Sequence, residues 1–297
     1  AKSWIMIAIL GLVWGGTFMV IELALPGITP FWLAAARIGF AAGLTLVIWR
    51  MQTRELWLTD ASDTTSLVVT GVLSSALPFM LLSWGQQYVT SGFAGVSMAA
   101  VVLIVLPLAH FLTPGERMTP RRTIGFLIGF AGVVVLIGGQ AFESTGSDLE
   151  TMGRLACLGA ASCYAVSSVM MRGLPPINPF GLAAMQLLIG ACLVIPAAWI
   201  VEGPPPLPST ETILYLALLG LVPTAAANLL RILVIRSAGP VFMGLTNYQV
   251  PIWSVLLGAV FLNEPLPGSL LTALILILGG MGLSQYGALK RLFGKRA

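Results

Sequence analysis

The sequence predicts an all-α integral membrane protein: ten transmembrane helices in two inverted five-helix repeats, with both termini cytoplasmic. Three observations carry this expectation: an apolar composition, ten apolar runs of spanning length, and a second half that repeats the landmarks of the first. Of 297 residues, 57% are hydrophobic and 9% charged, whereas a soluble domain is about 25% charged. A bilayer core takes roughly 20 apolar residues per helix, so ten spans use about two thirds of the chain and leave only short loops.

The runs, separated by Pro, Gly or charge, lie near 4–22, 30–49, 66–87, 92–112, 122–140, 152–171, 178–200, 211–235, 239–262 and 268–289. The first is longer than a signal-peptide core and lacks a small-residue cleavage site, so it reads as a span. Most runs show no polar face at helical period, as helices surrounded by lipid or other helices require. Pro78 and Pro223 fall inside the third and eighth runs, where a missing backbone donor predicts a kink. Gly11 with Gly15, Gly39 with Gly43 and Gly125 with Gly129 are small pairs four apart, expected to let helices pack closely.

Basic residues report orientation in such a chain. Alternating the loops places Lys2, Arg50, Arg54, Arg117, Arg121, Arg122, Arg172, Arg236 and the tail residues Lys290, Arg291, Lys295 and Arg296 inside, and only Arg154 outside. Arg37 and Arg231 remain within spans. Glu22, Glu143, Asp148, Glu150, Glu202, Glu211 and Glu264 fall outside, Glu55, Asp60, Asp63 and Glu116 inside. The net charge of +4 comes largely from that tail, so it argues for a cytoplasmic terminus and not for a nucleic-acid partner. Cys157, Cys163 and Cys192 lie in apolar stretches without a C-x-x-C pair, and His110 is the single histidine. Neither a disulfide framework nor a metal site is expected.

The two halves, 1–145 and 148–297, align. Trp14-Gly15 and Thr17 match Tyr164-Ala165 and Ser167; Pro30-Phe31 and Leu33-Ala34-Ala35 match Pro179-Phe180 and Leu182-Ala183-Ala184. Pro78 matches Pro223, and Gly115-Glu116 matches Asn263-Glu264. Five spans is an odd number, so the second half enters the membrane inverted. An inverted repeat lets one midplane site face either side in turn, which is the architecture of a carrier.

These residues resemble the drug/metabolite transporter superfamily, in its EamA-type branch. The marks are Trp14-Gly15-Gly16-Thr17-Phe18, Arg37, and Gly115-Glu116 echoed as Asn263-Glu264, over nearly the whole chain. Within the branch the chain looks like a bacterial inner-membrane exporter of aromatic and other amino acids. The resemblance implies a central cavity built mainly from the third, fourth, eighth and ninth spans, with contributions from the first and sixth.

The polar and aromatic residues inside spans are the candidate site. Thr246-Asn247-Tyr248-Gln249 in the ninth span is the richest cluster, and such residues should face the bundle interior or a wet cavity. Asn228, Gln86, Gln87, Ser97 and Met98 join it as candidates to meet a zwitterion. Trp14, Trp84, Tyr164 and Tyr248 suit an apolar side chain, with Thr17, Ser167 and the kink at Pro78 beside them. Trp4, Trp32, Trp49, Trp57 and Trp199 are explained by the membrane interface alone. Arg37, about 10 Å into its span at 1.5 Å per residue, needs a partner: helix-end carbonyls, outward water, or a substrate carboxylate. Arg231 can snorkel, Glu116 and Glu264 suit helix N-termini, and His110 suits an interface.

No carboxylate falls in a predicted span interior, so a proton relay is not expected. No G-x-x-x-x-G-K-[ST] occurs, which excludes an autonomous ATP pump. Without G-x-S-x-G or H-E-x-x-H, and with one histidine, no acid–base set for an enzyme is present. The expected function is facilitated, gradient-driven export by alternating access, needing no cofactor. Its partners are a small-molecule substrate and the lipid bilayer; a monomer is compatible with the sequence, which leaves the oligomeric state open. The alternatives are the same fold carrying another metabolite or a drug-like cation, and a passive channel.

Overall fold

The computed structural model describes residues 2–52, 61–112, 118–138, 148–174, 178–238 and 240–293. Among them, the regular elements are all helical. Helices α1 (Lys2–Ala24) and α2 (Pro30–Gln52) form the first two predicted spans. The third divides into α3 (Ala61–Gly71) and α4 (Leu77–Gly85), the fourth into α5 (Ser91–Met98) and α6 (Ala100–Leu112). Then come α7 (Pro120–Gly138), α8 (Glu150–Met170) and α9 (Pro179–Glu202). The eighth predicted span holds α10 (Thr210–Leu219) and α11 (Ala227–Ala238), the ninth predicted span α12 (Pro240–Met243) and α13 (Thr246–Phe261), and the last predicted span α14 (Gly268–Ser284) and α15 (Tyr286–Phe293). Helical segments thus occupy each apolar stretch. Among the described residues, six helices are long and apolar enough to cross a membrane: Lys2–Gly27, Pro30–Met51, Asp63–Gly85, Ser91–Leu112, Pro179–Glu202 and Thr210–Ile235. Arg54, Glu55, Trp57, Asp60, Gly115, Glu116, Arg117, Glu143, Lys295 and Arg296 lie outside the described residues.

Two sequence features explain where the helices begin and widen. Thr90, Asn178 and Ser209 accept from the backbone N–H groups of Phe93, Phe180 and Thr212, closing the first turns of α5, α9 and α10. Pro78 and Pro223 accompany wide helical turns of the i→i+5 type at Val72–Ala76 and Gly220–Ala226. Proline removes a donor from the regular ladder, and side chains take up part of the slack. Thr224 Oγ1 donates to the Leu219 carbonyl at 2.8 Å, and Ser75 Oγ lies 2.7 Å from the Gly71 carbonyl and 3.0 Å from that of Gln186.

The principal packings each join an element before residue 139 to one after 149: α7 with α14, α2 with α9, α1 with α13, and α4 with α8. Small residues set their closeness. A Cβ on Gly15 would stand 2.5 Å from the Trp253 Cβ, and one on Gly280 would stand 2.7 Å from the Gly129 Cα. Gly11 and Gly125 serve the same two seams. Gly39 and Gly43 differ from expectation, since among the described residues nothing lies within 4 Å of a Cβ at either. Polarity is inverted relative to a soluble protein. Ile5, Val47, Ile200 and Ile275 are exposed, while Arg37, Gln86, Glu150 and Arg154 are buried. That is the distribution a bilayer solvent selects.

Candidate functional site

Arg37 lies two turns into α2, whose N-terminus is fixed by a carboxylate from the other half. Glu202 accepts from Thr29 Oγ1 at 2.5 Å and from the N–H groups of Phe31 at 2.9 Å and Trp32 at 3.2 Å. The Arg37 side chain is 7% exposed. Its Nε donates to Thr224 Oγ1 at 2.9 Å, in the wide turn of the eighth span, and its guanidinium carbon sits 4.0 Å from the centre of the Phe79 ring. Tyr164 packs against the same core as Phe79, Ile38 and Ala225. Four elements from both halves thereby meet at one cation. Among the described residues the ion pair is Arg154 with Glu150, within α8, and no carboxylate pairs with Arg37. A guanidinium offers five donors, and a buried cation without an anion is expensive.

The aromatic candidates converge on the same interior. Trp14, Tyr164 and Tyr248 all pack against the core formed by Phe18, Leu82, Phe93 and Cys157, with Met98 beside them. Trp14 Nε1 donates to the Pro223 carbonyl at 3.0 Å, tying α1 to the wide turn. The Tyr248 hydroxyl is buried with no hydrogen-bond partner. Trp84 makes an edge contact with Tyr88, centroids 5.0 Å apart, at the end of α4.

The remaining candidates divide. Thr17 and Ser97, both buried, donate to the Val13 and Ala94 carbonyls of their own helices, and Ser167 reaches the Thr70 carbonyl at 3.5 Å. Asn228 Nδ2 donates to the Thr224 carbonyl at 2.5 Å, so it serves the wide turn. Pro78 is buried at the start of α4. In the ninth-span cluster Thr246 is buried and Asn247 exposed, while the Gln249 side chain lies where a Gly11 Cβ would be, in the α1–α13 seam. Gln87 is exposed past the end of α4, whereas its neighbour Gln86 is 1% exposed and donates to the Phe18 carbonyl at 2.9 Å.

Glu264 caps a helix, as its position suggested, but the helix is α5 and not the α14 that follows it. It accepts from Ser91 N at 2.7 Å and Gly92 N at 3.0 Å. Asn263, at φ 54°, makes the reversal that turns the carboxylate back. His110 Nδ1 accepts from Met118 N at 3.3 Å.

Among the described residues the regular elements are helices, and those before residue 139 pack on those after 149. The EamA-like transporter family matches residues 2–138 and again 151–285. The chain belongs to the EamA-like transporter family. Among the relatives of this EamA-family protein is the uncharacterized transporter YvbV of Bacillus subtilis, 26% identical over 93% of the chain and 89% of the relative. The aromatic amino acid exporter YddG of Ancylobacter novellus is 28% identical over 61% and 62%. The uncharacterized inner membrane transporter YedA of Escherichia coli is 26% identical over 86% and 81%. A solved crystal structure superposes on 99% of the EamA-family chain and 99% of its own, with TM-score 0.67 at 21% identity, a likeness of fold. The chain is a multi-pass membrane protein of a transporter family.

Proposed function

We propose that this protein exports amino acids, aromatic and other neutral ones, across the bacterial inner membrane by alternating access, driven by gradients and not by ATP. Ten spans in two inverted repeats, 1–145 and 148–297, with both termini cytoplasmic, form the carrier. The two separate family matches and the cross-half packings support that division. The named activity of one relative supports the substrate class.

The observation that carries the reading is Arg37. It is a buried guanidinium without a carboxylate, held at the meeting of α2, α4, α8 and the wide turn. An amino acid's carboxylate is the anion that such a fork accepts. Trp14, Tyr164 and Tyr248 offer the walls for the side chain, and the Tyr248 hydroxyl is a free donor or acceptor beside them. A fixed interior cation also repels a cationic drug, which disfavours the nearest rival cargo.

Counterflow of labelled phenylalanine into proteoliposomes preloaded with unlabelled amino acids tests the proposal. Arg37→Gln removes a charged hydrogen bond of about 1.5–3 kcal/mol, so exchange should weaken by roughly tenfold or more. Exchange unchanged in Arg37→Gln removes the carboxylate site. Exchange of organic cations but not of phenylalanine discards the substrate class.

A further inference from the structure

The docking of α2 on the eighth span has a counterpart that the transport site does not use. A Cβ on Gly220, in the wide turn of that span, would stand 2.5 Å from the Phe40 Cβ and 2.8 Å from the Arg37 carbonyl oxygen. In the third span, a Cβ on Gly71 would stand 3.2 Å from the Ile189 Cβ and 3.3 Å from the Gln186 Cα, both on α9. Arg37 matches Gln186, Phe40 matches Ile189 and Gly71 matches Gly220, each pair 149 residues apart. The same spacing links Ser75 with Thr224, a register four residues from the one that aligns Pro78 with Pro223.

The two junctions are built alike from different chemistry. At one, Arg37 Nε donates to Thr224 Oγ1 at 2.9 Å, and the guanidinium carbon lies 4.0 Å from the centre of the Phe79 ring. At the other, Gln186 Nε2 donates to Thr70 Oγ1 at 3.2 Å, and Ser75 Oγ lies 3.0 Å from the Gln186 carbonyl. Ser167 Oγ reaches the Thr70 carbonyl at 3.5 Å. Thr70, Ser75 and Ser167 are buried. Each of these hydrogen bonds joins an element before residue 139 to one after 149. The helix starts carry the same contrast. The N–H groups of Phe31 and Trp32 go to the Glu202 carboxylate, whereas those of Phe180 and Gly181, at the matching positions, go to the neutral Asn178 Oδ1.

Alternating access requires each junction to part in turn, since either one, while made, joins the halves at its own end. Charge-assisted hydrogen bonds are roughly twice as strong as neutral ones, so of two equivalent junctions the one at Gln186 is the weaker. We propose that Gln186 is a positioning residue of the transport cycle: with Thr70 it forms the clasp opposite Arg37, and because this clasp is neutral the empty carrier opens at the Gln186 end. In the proposed topology α9 starts at the cytoplasmic face, which is where an exporter must load. The inference rests on the inverted-repeat reading and not on the cargo.

Thiol labelling tests it without any substrate. Thr17 and Ser167 are matched buried positions, Thr17 on α1, which packs on the Gly220–Ala226 turn, and Ser167 beside Thr70. Thr17→Cys and Ser167→Cys are made one at a time, after Cys157, Cys163 and Cys192 are changed to alanine. Each is reacted with a membrane-impermeant maleimide in sealed vesicles of either orientation, and its rate is divided by that of the denatured protein. Ser167→Cys should react about fivefold faster than Thr17→Cys. Gln186→Leu should raise the Ser167→Cys rate and lower the Thr17→Cys rate, and Arg37→Gln should do the reverse. Thr70→Val deletes the other side of the same bond and should act as Gln186→Leu does, which keeps the test decisive if Gln186→Leu fails to fold. Equal rates in the parent, or rates that rise together or stay unchanged in Gln186→Leu and Thr70→Val, overturn the proposal. Reaction of both probes from the same face of the membrane overturns the inverted-repeat reading itself. If phenylalanine is not exchanged, the cargo is wrong while the labelling still decides the clasp.

Discussion

Tyr248 carries a buried hydroxyl with no partner, and a hydroxyl in that state is a cost of about 1–3 kcal/mol to the empty protein. Tyr248→Phe should therefore raise thermal stability in detergent by roughly 1 kcal/mol while weakening phenylalanine exchange. A variant less stable than wild type would show that the hydroxyl is satisfied after all. Arg37, Trp14 and Tyr248 stand out in the sequence because a charge or an amphipathic ring inside an apolar span demands an explanation, and the structure buries Arg37 and packs Trp14 and Tyr248 against the core. Gln86 and Gln87 could not be told apart, since adjacent residues at a helix end point to different sides and hydropathy does not fix the register. Nor could Thr17 and Ser97 be assigned, because a hydroxyl in a helix can bond its own backbone as readily as a ligand.

Among the elements, α5 depends on a cap supplied from 173 positions away in sequence. Glu264→Ala removes two charge-assisted bonds to the α5 N-terminus and should cost about 1–2 kcal/mol, measured as a lowered melting temperature. An unchanged melting temperature would make the cap incidental. The α1–α13 seam admits no side chain at Gly15, so Gly15→Leu should abolish a monodisperse elution peak, whereas Gly39→Leu should not. Hydropathy made the apolar stretches visible and proline marked both irregular helices. The wide turns themselves were not visible, because which carbonyl a displaced N–H finds depends on neighbours such as Thr224 and Ser75. The Gly39 and Gly43 pair shows the converse, a packing motif in sequence that meets no helix among the described residues.

For the whole molecule, alternating access requires the halves to move against each other, and the contact of Thr29 with Glu202 joins them at one end. With cysteines placed at both positions, an oxidised cross-link should arrest exchange, and reduction should restore it. Full exchange by the cross-linked protein would exclude motion at that contact. Repeated landmarks divide the sequence at about residue 145, but they do not say that the chief packings join elements before residue 139 to elements after 149, because pairing of equally apolar helices depends on shape and not on composition.

The carboxylates of Glu202 and Glu264 each complete a helix made 173 residues earlier, and this imposes a schedule on biosynthesis. At 5–20 residues per second, α2 and α5 wait roughly 10 to 35 s in the bilayer before their partner carboxylates leave the ribosome. During that interval the nascent first half presents helix starts without a counter-charge, so it is the interval in which insertase or quality-control factors have access to the chain.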